Sequence, residues 1–197
     1  QRSREIFFAR FKDFSASLEM TAMIILLSLL SFSANAKILL PQILSSNMVL
    51  QREKPINIWG YASPDEKVEV TFAGQKKQTV TDKNGNWSVV LMPLKTSAKP
   101  QTMTISGSNK IELTNILVGE VWLCSGQSNM DFPLQAAINA PGEMAQAEQS
   151  GTIRFLNREP IAETYNTAWD SATLETVNRL EYFSGSWQRC DSTTAKT

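Results

Sequence analysis

Ser128 stands in the tetrapeptide Gly126-Gln127-Ser128-Asn129, directly behind the apolar run of residues 116–124. The carboxyl end of a buried parallel strand is where α/β folds place reactive groups, and a serine in the following turn presents its hydroxyl to a crevice. Near a helix start its own backbone N–H can face a developing oxyanion. Gly126 permits a tight turn and a close approach of substrate to the backbone, Gln127 completes the turn, and Asn129 caps the helix or orients the turn. A serine before a helix also serves as a plain cap. The nucleophile elbow G-x-S-x-G is not matched, because Met130 stands two residues after Ser128.

A serine needs a base, and the 197 residues contain no histidine. A complete Ser-His-Asp triad, a Cys-His dyad, a histidine metal site and an imidazole base are therefore excluded within this chain. Lys plus Arg and Asp plus Glu number 19 each, so net charge is zero and leaves no electrostatic footprint for nucleic acid or anionic lipid. Cys124 and Cys190 lack metal-ligand spacing, and no metal or cofactor is expected. In an exported protein they can form one bridge, although Cys124, inside the apolar run, reads equally as a buried thiol.

The elements that must position Ser128 fall into three stretches. Residues 22–30 (AMIILLSLL) are too short for a bilayer span of about 20 residues, yet have the length of a signal-peptide core. Ala34-Asn35-Ala36 supplies the small-x-small cleavage pattern, so 1–36 reads as upstream segment and signal peptide and the mature chain begins at Lys37. An ordinary buried helix is the alternative.

Residues 37–117 read as a β-sandwich of immunoglobulin-like type. Lys67-Val68-Glu69-Val70-Thr71-Phe72 alternates polar and apolar, as a half-buried strand does. Met48-Val49-Leu50, residues 56–61, Thr102-Met103-Thr104-Ile105 and Lys110-Ile111-Glu112-Leu113 add short strands. Asp82-Lys83-Asn84-Gly85-Asn86 is a turn expected to join 79–81 and 87–91 as a hairpin, and Asp65-Glu66-Lys67 is expected to be solvated.

From residue 118 the pattern changes. The run to Cys124, a weak helix over 134–139, a break at Pro141-Gly142, a helix over 143–149 and a strand at 152–156 together describe a βαβ unit with a parallel sheet. Residues 118–197 are thus expected to be the start of an α/β domain, too short to be complete. Met130 and Phe132 line an acyl pocket or pack the helix start. Five tryptophans (Trp59, Trp87, Trp122, Trp169, Trp187) either stack on sugar rings or fill cores.

Val118-Gly119-Glu120-Val121-Trp122-Leu123-Cys124-Ser125-Gly126-Gln127-Ser128-Asn129-Met130 resembles the first block of the sialate O-acetylesterase family, SGNH-type carbohydrate esterases. Ile43-Leu44-Ser45-Ser46-Asn47-Met48-Val49-Leu50-Gln51-Arg52, Ile58-Trp59-Gly60-Tyr61-Ala62 and Asp82-Lys83-Asn84-Gly85-Asn86-Trp87 are similar to its amino-terminal β-domain. Ser184-Gly185-Ser186-Trp187-Gln188-Arg189-Cys190 is similar to a later tryptophan segment. The resemblance implies a flavodoxin-like hydrolase domain, Ser128 as the nucleophile toward O-acetyl esters, and its N–H as one oxyanion donor. In such families a glycine and an asparagine from later blocks complete the oxyanion hole, and an Asp-x-x-His segment supplies acid and base. Those blocks are not found after Asn157, and neither Asp131 nor Asp170 has a histidine to orient. The chain is therefore expected to be an amino-terminal fragment and, alone, nearly inactive.

Three functions follow: an exported esterase acting on acetylated sialic acid or another acetylated sugar, a non-catalytic carbohydrate-binding sandwich, or a remnant whose second half lacks a stable fold.

Overall fold

The computed structural model describes residues 37–126, 130, 132–160, 168–177 and 183–196. The expected signal peptide lies outside them. Residues Ala36–Thr197 form one compact unit, and the described part of it is mostly β-strand.

Seven strands carry the first half: β1 (Val49–Gln51), β2 (Ile56–Tyr61), β3 (Lys67–Phe72), β4 (Gln75–Val80), β5 (Asn86–Leu91), β6 (Ser97–Ser106) and β7 (Lys110–Gly119). Five form one sheet in the order β1-β7-β6-β3-β4, and β2 pairs antiparallel with β5 in a second. Alternation builds the core between them. Ile56, Ile58, Trp87, Val89 and Leu91 from the pair meet Val68, Val70, Phe72, Met103 and Ile105 from the larger sheet, all buried in one cluster. Complete burial of each such aliphatic or aromatic side chain contributes about 1.5–3 kcal/mol.

The turn at 82–86 forms, but it does not close the expected hairpin. The Asp82 carboxylate accepts the backbone N–H of Asn84 and Asn86, both at 2.8 Å, and Gly85 N–H donates to Asp82 C=O at 2.9 Å. The strands on either side belong to different sheets. β4 is held instead by β3 through the two-residue link Ala73-Gly74, whose positive φ values of 49° and 76° match the twist of a tight hairpin. The 82–86 turn is thus a crossover from one sheet to the other.

Glu66, expected to be solvated, is half-buried at the same end of the sandwich. Its carboxylate accepts Ser108 N–H at 2.6 Å and Ser63 N–H at 3.1 Å, while its own N–H donates to Thr81 Oγ1 at 2.8 Å. Thr81, the one buried polar residue among those described, donates in turn to Ser63 C=O. Burial pushes the Glu66 pKa up, but hydrogen bonds from the backbone and side chains of Ser108 and Ser63 together outweigh it and hold the carboxyl below its ordinary value.

Beyond Gly119 the expected βαβ unit is not formed. Helix α1 (Ala140–Ala147) begins on the expected break, because proline fits a first helical turn, where its missing N–H costs nothing. Strand β8 (Arg154–Leu156) pairs antiparallel with β11 (Trp187–Arg189), not parallel with β7. Between them lie β9 (Glu159–Pro160), α2 (Ser171–Val177) and β10 (Phe183–Ser184), the last antiparallel to β9. A buried parallel strand needs neighbours at both edges and helices over both faces. The described residues after Gly119 offer only short strands and two helices of at most 8 residues.

The β8–β11 pair is clipped to the sandwich by polar contacts. Trp187 Nε1 donates to Ile43 C=O at 2.9 Å, and Asn47 Nδ2 to Trp187 C=O at 3.3 Å. Asn115 Nδ2 donates to Asn47 Oδ1 at 2.7 Å, both asparagines having positive φ. Ala147, Cys190 and Ala195 form a small second core with Leu134 and Phe155.

Candidate active site

Strand β7 delivers the chain toward Ser128. Its last residues, Ile116, Leu117 and Val118, are all buried, so this end is covered on both faces and runs parallel to β1 in the register Val49↔Leu117. The burial is as expected, but the strand is not one of a parallel sheet: on its other edge the same residues pair antiparallel with β6, Gln101↔Ile116 and Ser97↔Val118. It stops at Gly119. Val121, Trp122 and Leu123 stand 43%, 83% and 94% exposed and belong to no strand. Cys124 is exposed and Cys190 buried, and both are free thiols, so neither the bridge nor the buried reading of Cys124 holds.

A polar cluster fixes the departure from the sheet. Arg52 N–H takes Gly119 C=O at 2.9 Å, Gln51 Oε1 accepts Val121 N–H at 2.8 Å, and Gln51 Nε2 donates to Glu120 Oε2 at 2.9 Å. Arg52 Nε donates to the other Glu120 oxygen. The Gln51 amide and then the Arg52 guanidinium hold the Glu120 carboxyl below its ordinary pKa, and Glu120 raises that of Arg52. Gln51, Arg52 and Glu120 fall within the stretches that carry the resemblance, which gives them no role. The signal for their pairing was an opposite charge beside a strand end in each block.

Ser128, Gln127, Asn129 and Asp131 lie outside the described residues. The residues that bracket them are described. A Cβ built on Gly126 would sit 2.5 Å from Met130 Cγ, so the Met130 side chain lies close against the Gly126 backbone. A side chain at 126 would have to push Met130 aside. Met130 and Phe132 are 54% and 58% exposed, which removes the reading that they pack a helix start. Asp170 is a cap: its carboxylate accepts Thr173 N–H at 2.7 Å at the start of α2, which lowers its pKa. Among the described residues no group of three His, Cys, Asp or Glu side chains comes together to hold a metal.

With this geometry in place, the chain can be set beside known proteins. It is 34% identical to human sialate O-acetylesterase over 130 residues, covering 60% of this chain. It is sialate O-acetylesterase-like. The mouse sialate O-acetylesterase is likewise 34% identical, over 121 residues and 56% of the chain. Among solved structures, a carbohydrate acetylesterase from Xanthomonas citri superposes with a TM-score of 0.68 and 26% identity over 81% of this chain and 34% of that one. No protein-family profile matches the chain. The chain spans about a quarter of the length of the curated relatives it matches, 25% of the human protein and 22% of the mouse protein. Its likeness is therefore to part of an acetylesterase.

Proposed function

We propose that this chain is the nucleophile-bearing portion of an exported carbohydrate O-acetylesterase of SGNH type. It comprises an immunoglobulin-like sandwich over 37–117 and the opening of a hydrolase domain over 118–197. Ser128 Oγ attacks the acetyl carbonyl, the sugar oxygen leaves with a proton, and water then hydrolyses the acetyl-serine to acetate. The Ser128 N–H serves the oxyanion, and Gly126, Gln127 and Asn129 shape the turn. The acid–base partner comes from residues outside this sequence, which has no histidine. The substrate is acetylated sialic acid or another acetylated sugar, and the leader ending at Ala36 carries the protein out of the cytoplasm.

The observation that carries this reading is the exposure of the segment around the motif, with Val121, Trp122 and Leu123 before it and Met130 and Phe132 after it all open to solvent. An exposed segment that leaves the sheet through a polar latch is what a solvent-facing nucleophile requires.

Reading the coding DNA on both sides of these residues tests it. An in-frame Asp-x-x-His segment is expected, and the protein containing it releases acetate from acetylated sugars. Ser128→Ala lowers that kcat by about a thousandfold or more. The 197 residues alone release acetate at background rate. Acetate release by this chain, abolished in Ser128→Ala, would refute the dependence on an outside base.

A further inference from the structure

We infer that the outer face of the β2–β5 pair is a binding site for neutral pyranose glycans, separate from the nucleophile turn. This site does not depend on the esterase reading. A surface depression of about 510 Å3 opens there, within the roughly 300–1,000 Å3 range of small-ligand clefts.

Its lining suits a sugar. Trp59 and Tyr61 are two residues apart on one strand, so both point away from the core that Ile58 and Gly60 face, and Cβ alternation sets them in a row. Across the register Trp59 lies opposite Ser88, and Tyr61 opposite Asn86. An aromatic row beside a row of hydroxyl and amide groups offers flat apolar surface to the C–H face of a pyranose and hydrogen bonds to its hydroxyls. Trp59 is half-buried, so part of its indole is already covered before any ligand arrives.

Charge narrows the ligand class. Among the described residues, Asp82 is the one carboxylic acid lining the depression, and no lysine or arginine lines it. A carboxylated sugar such as a sialoside would meet a carboxylate and no cation to pair with it, whereas a neutral glycan is not penalised.

The test is calorimetry on the 197-residue chain with neutral tetrasaccharides of glucose, xylose, mannose and N-acetylglucosamine, and with sialyllactose. At least one neutral tetrasaccharide is expected to bind, and sialyllactose at least about tenfold more weakly. Trp59→Ala should weaken binding about tenfold or more with an unchanged circular dichroism spectrum. Tyr61→Ala, at a more exposed position, gives a second reading should Trp59→Ala misfold, and Trp122→Ala should bind normally. Absence of neutral-glycan binding overturns the inference, as does equal or tighter binding of sialyllactose. Loss of binding in Trp122→Ala with retention in Tyr61→Ala overturns its location.

Discussion

Glu66→Gln should cost the fold about 1.5–3 kcal/mol at pH 7, and that cost should vanish in acid. The glutamate closes one end of the sandwich with Ser108 N–H on one oxygen and Ser63 N–H on the other, supported by the side chains of the same two serines. Glutamine can satisfy one of them. Its amide nitrogen then faces the other as a donor against a donor, so one charge-assisted bond is lost and a half-buried N–H is left unmatched. The pH dependence follows from the direction of the shift. The folded Glu66 pKa is depressed below its ordinary value, so its contribution is present above the unfolded pKa and lost as pH falls through the folded one. Urea unfolding of wild type and Glu66→Gln at pH 7 and near pH 3 gives four midpoints. The difference should be large in the first pair and small in the second. An equal difference at both pH values would mean that the glutamate acts by shape alone and would refute the hydrogen-bond argument.

Gly126→Ala, placed in the complete esterase, should lower kcat by roughly ten- to a hundredfold, because its Cβ lands 2.5 Å from Met130 Cγ and forces Met130 to shift beside the proposed nucleophile. Adding Met130→Ala should restore much of that loss, and failure to do so would show that the turn does not depend on this contact. Trp187→Phe removes the donor to Ile43 C=O and should destabilise the β8–β11 clip by about 1 kcal/mol. Faster cleavage by a dilute protease within 150–190, with the sandwich left intact, is the readout; unchanged cleavage would count against the clip.

How far the sequence discloses this molecule depends on the range of the interaction involved. Residues 67–72 alternate strictly, and the strands expected there and at 56–61 occupy those positions, because face selection is a local property of a half-buried strand. The 82–86 turn was equally legible, since Asp82 reaches only its own neighbours. Which strands it joins was not. Pairing is decided across the sheet, and Ala73-Gly74 had already committed β4 to β3. The same limit governs Val121, Trp122 and Leu123. Their composition is that of a buried strand, but burial requires neighbours, and among the described residues none pairs with them. At the candidate site, Ser128 was conspicuous as a residue type in a motif. The latch before it was hidden, because Gln51 and Glu120 are 69 residues apart in sequence.

The latch is better explained by position than by stability. Arg52 and Glu120 are 37% and 47% exposed at the side chain, and ion pairs of that kind hold a fold together only weakly. A functional loop, by contrast, needs its ends fixed to within about 0.5 Å. Apolar packing does not provide that anchorage here, because Val121, Trp122 and Leu123 leave the core rather than enter it. Gln51 provides it by holding the Val121 N–H and the Glu120 carboxylate with one side chain, while the Arg52 backbone holds the Gly119 carbonyl. Three consecutive residues of the departing chain are thereby tied to two consecutive residues of β1 and its end. That edge strand runs parallel to β7 and is fixed by the buried Leu50. The direction in which the chain sets out toward Ser128 is therefore referred to the sandwich core; under the proposed esterase reading, this gives the β-domain a mechanical part in catalysis without a residue near the reacting atoms.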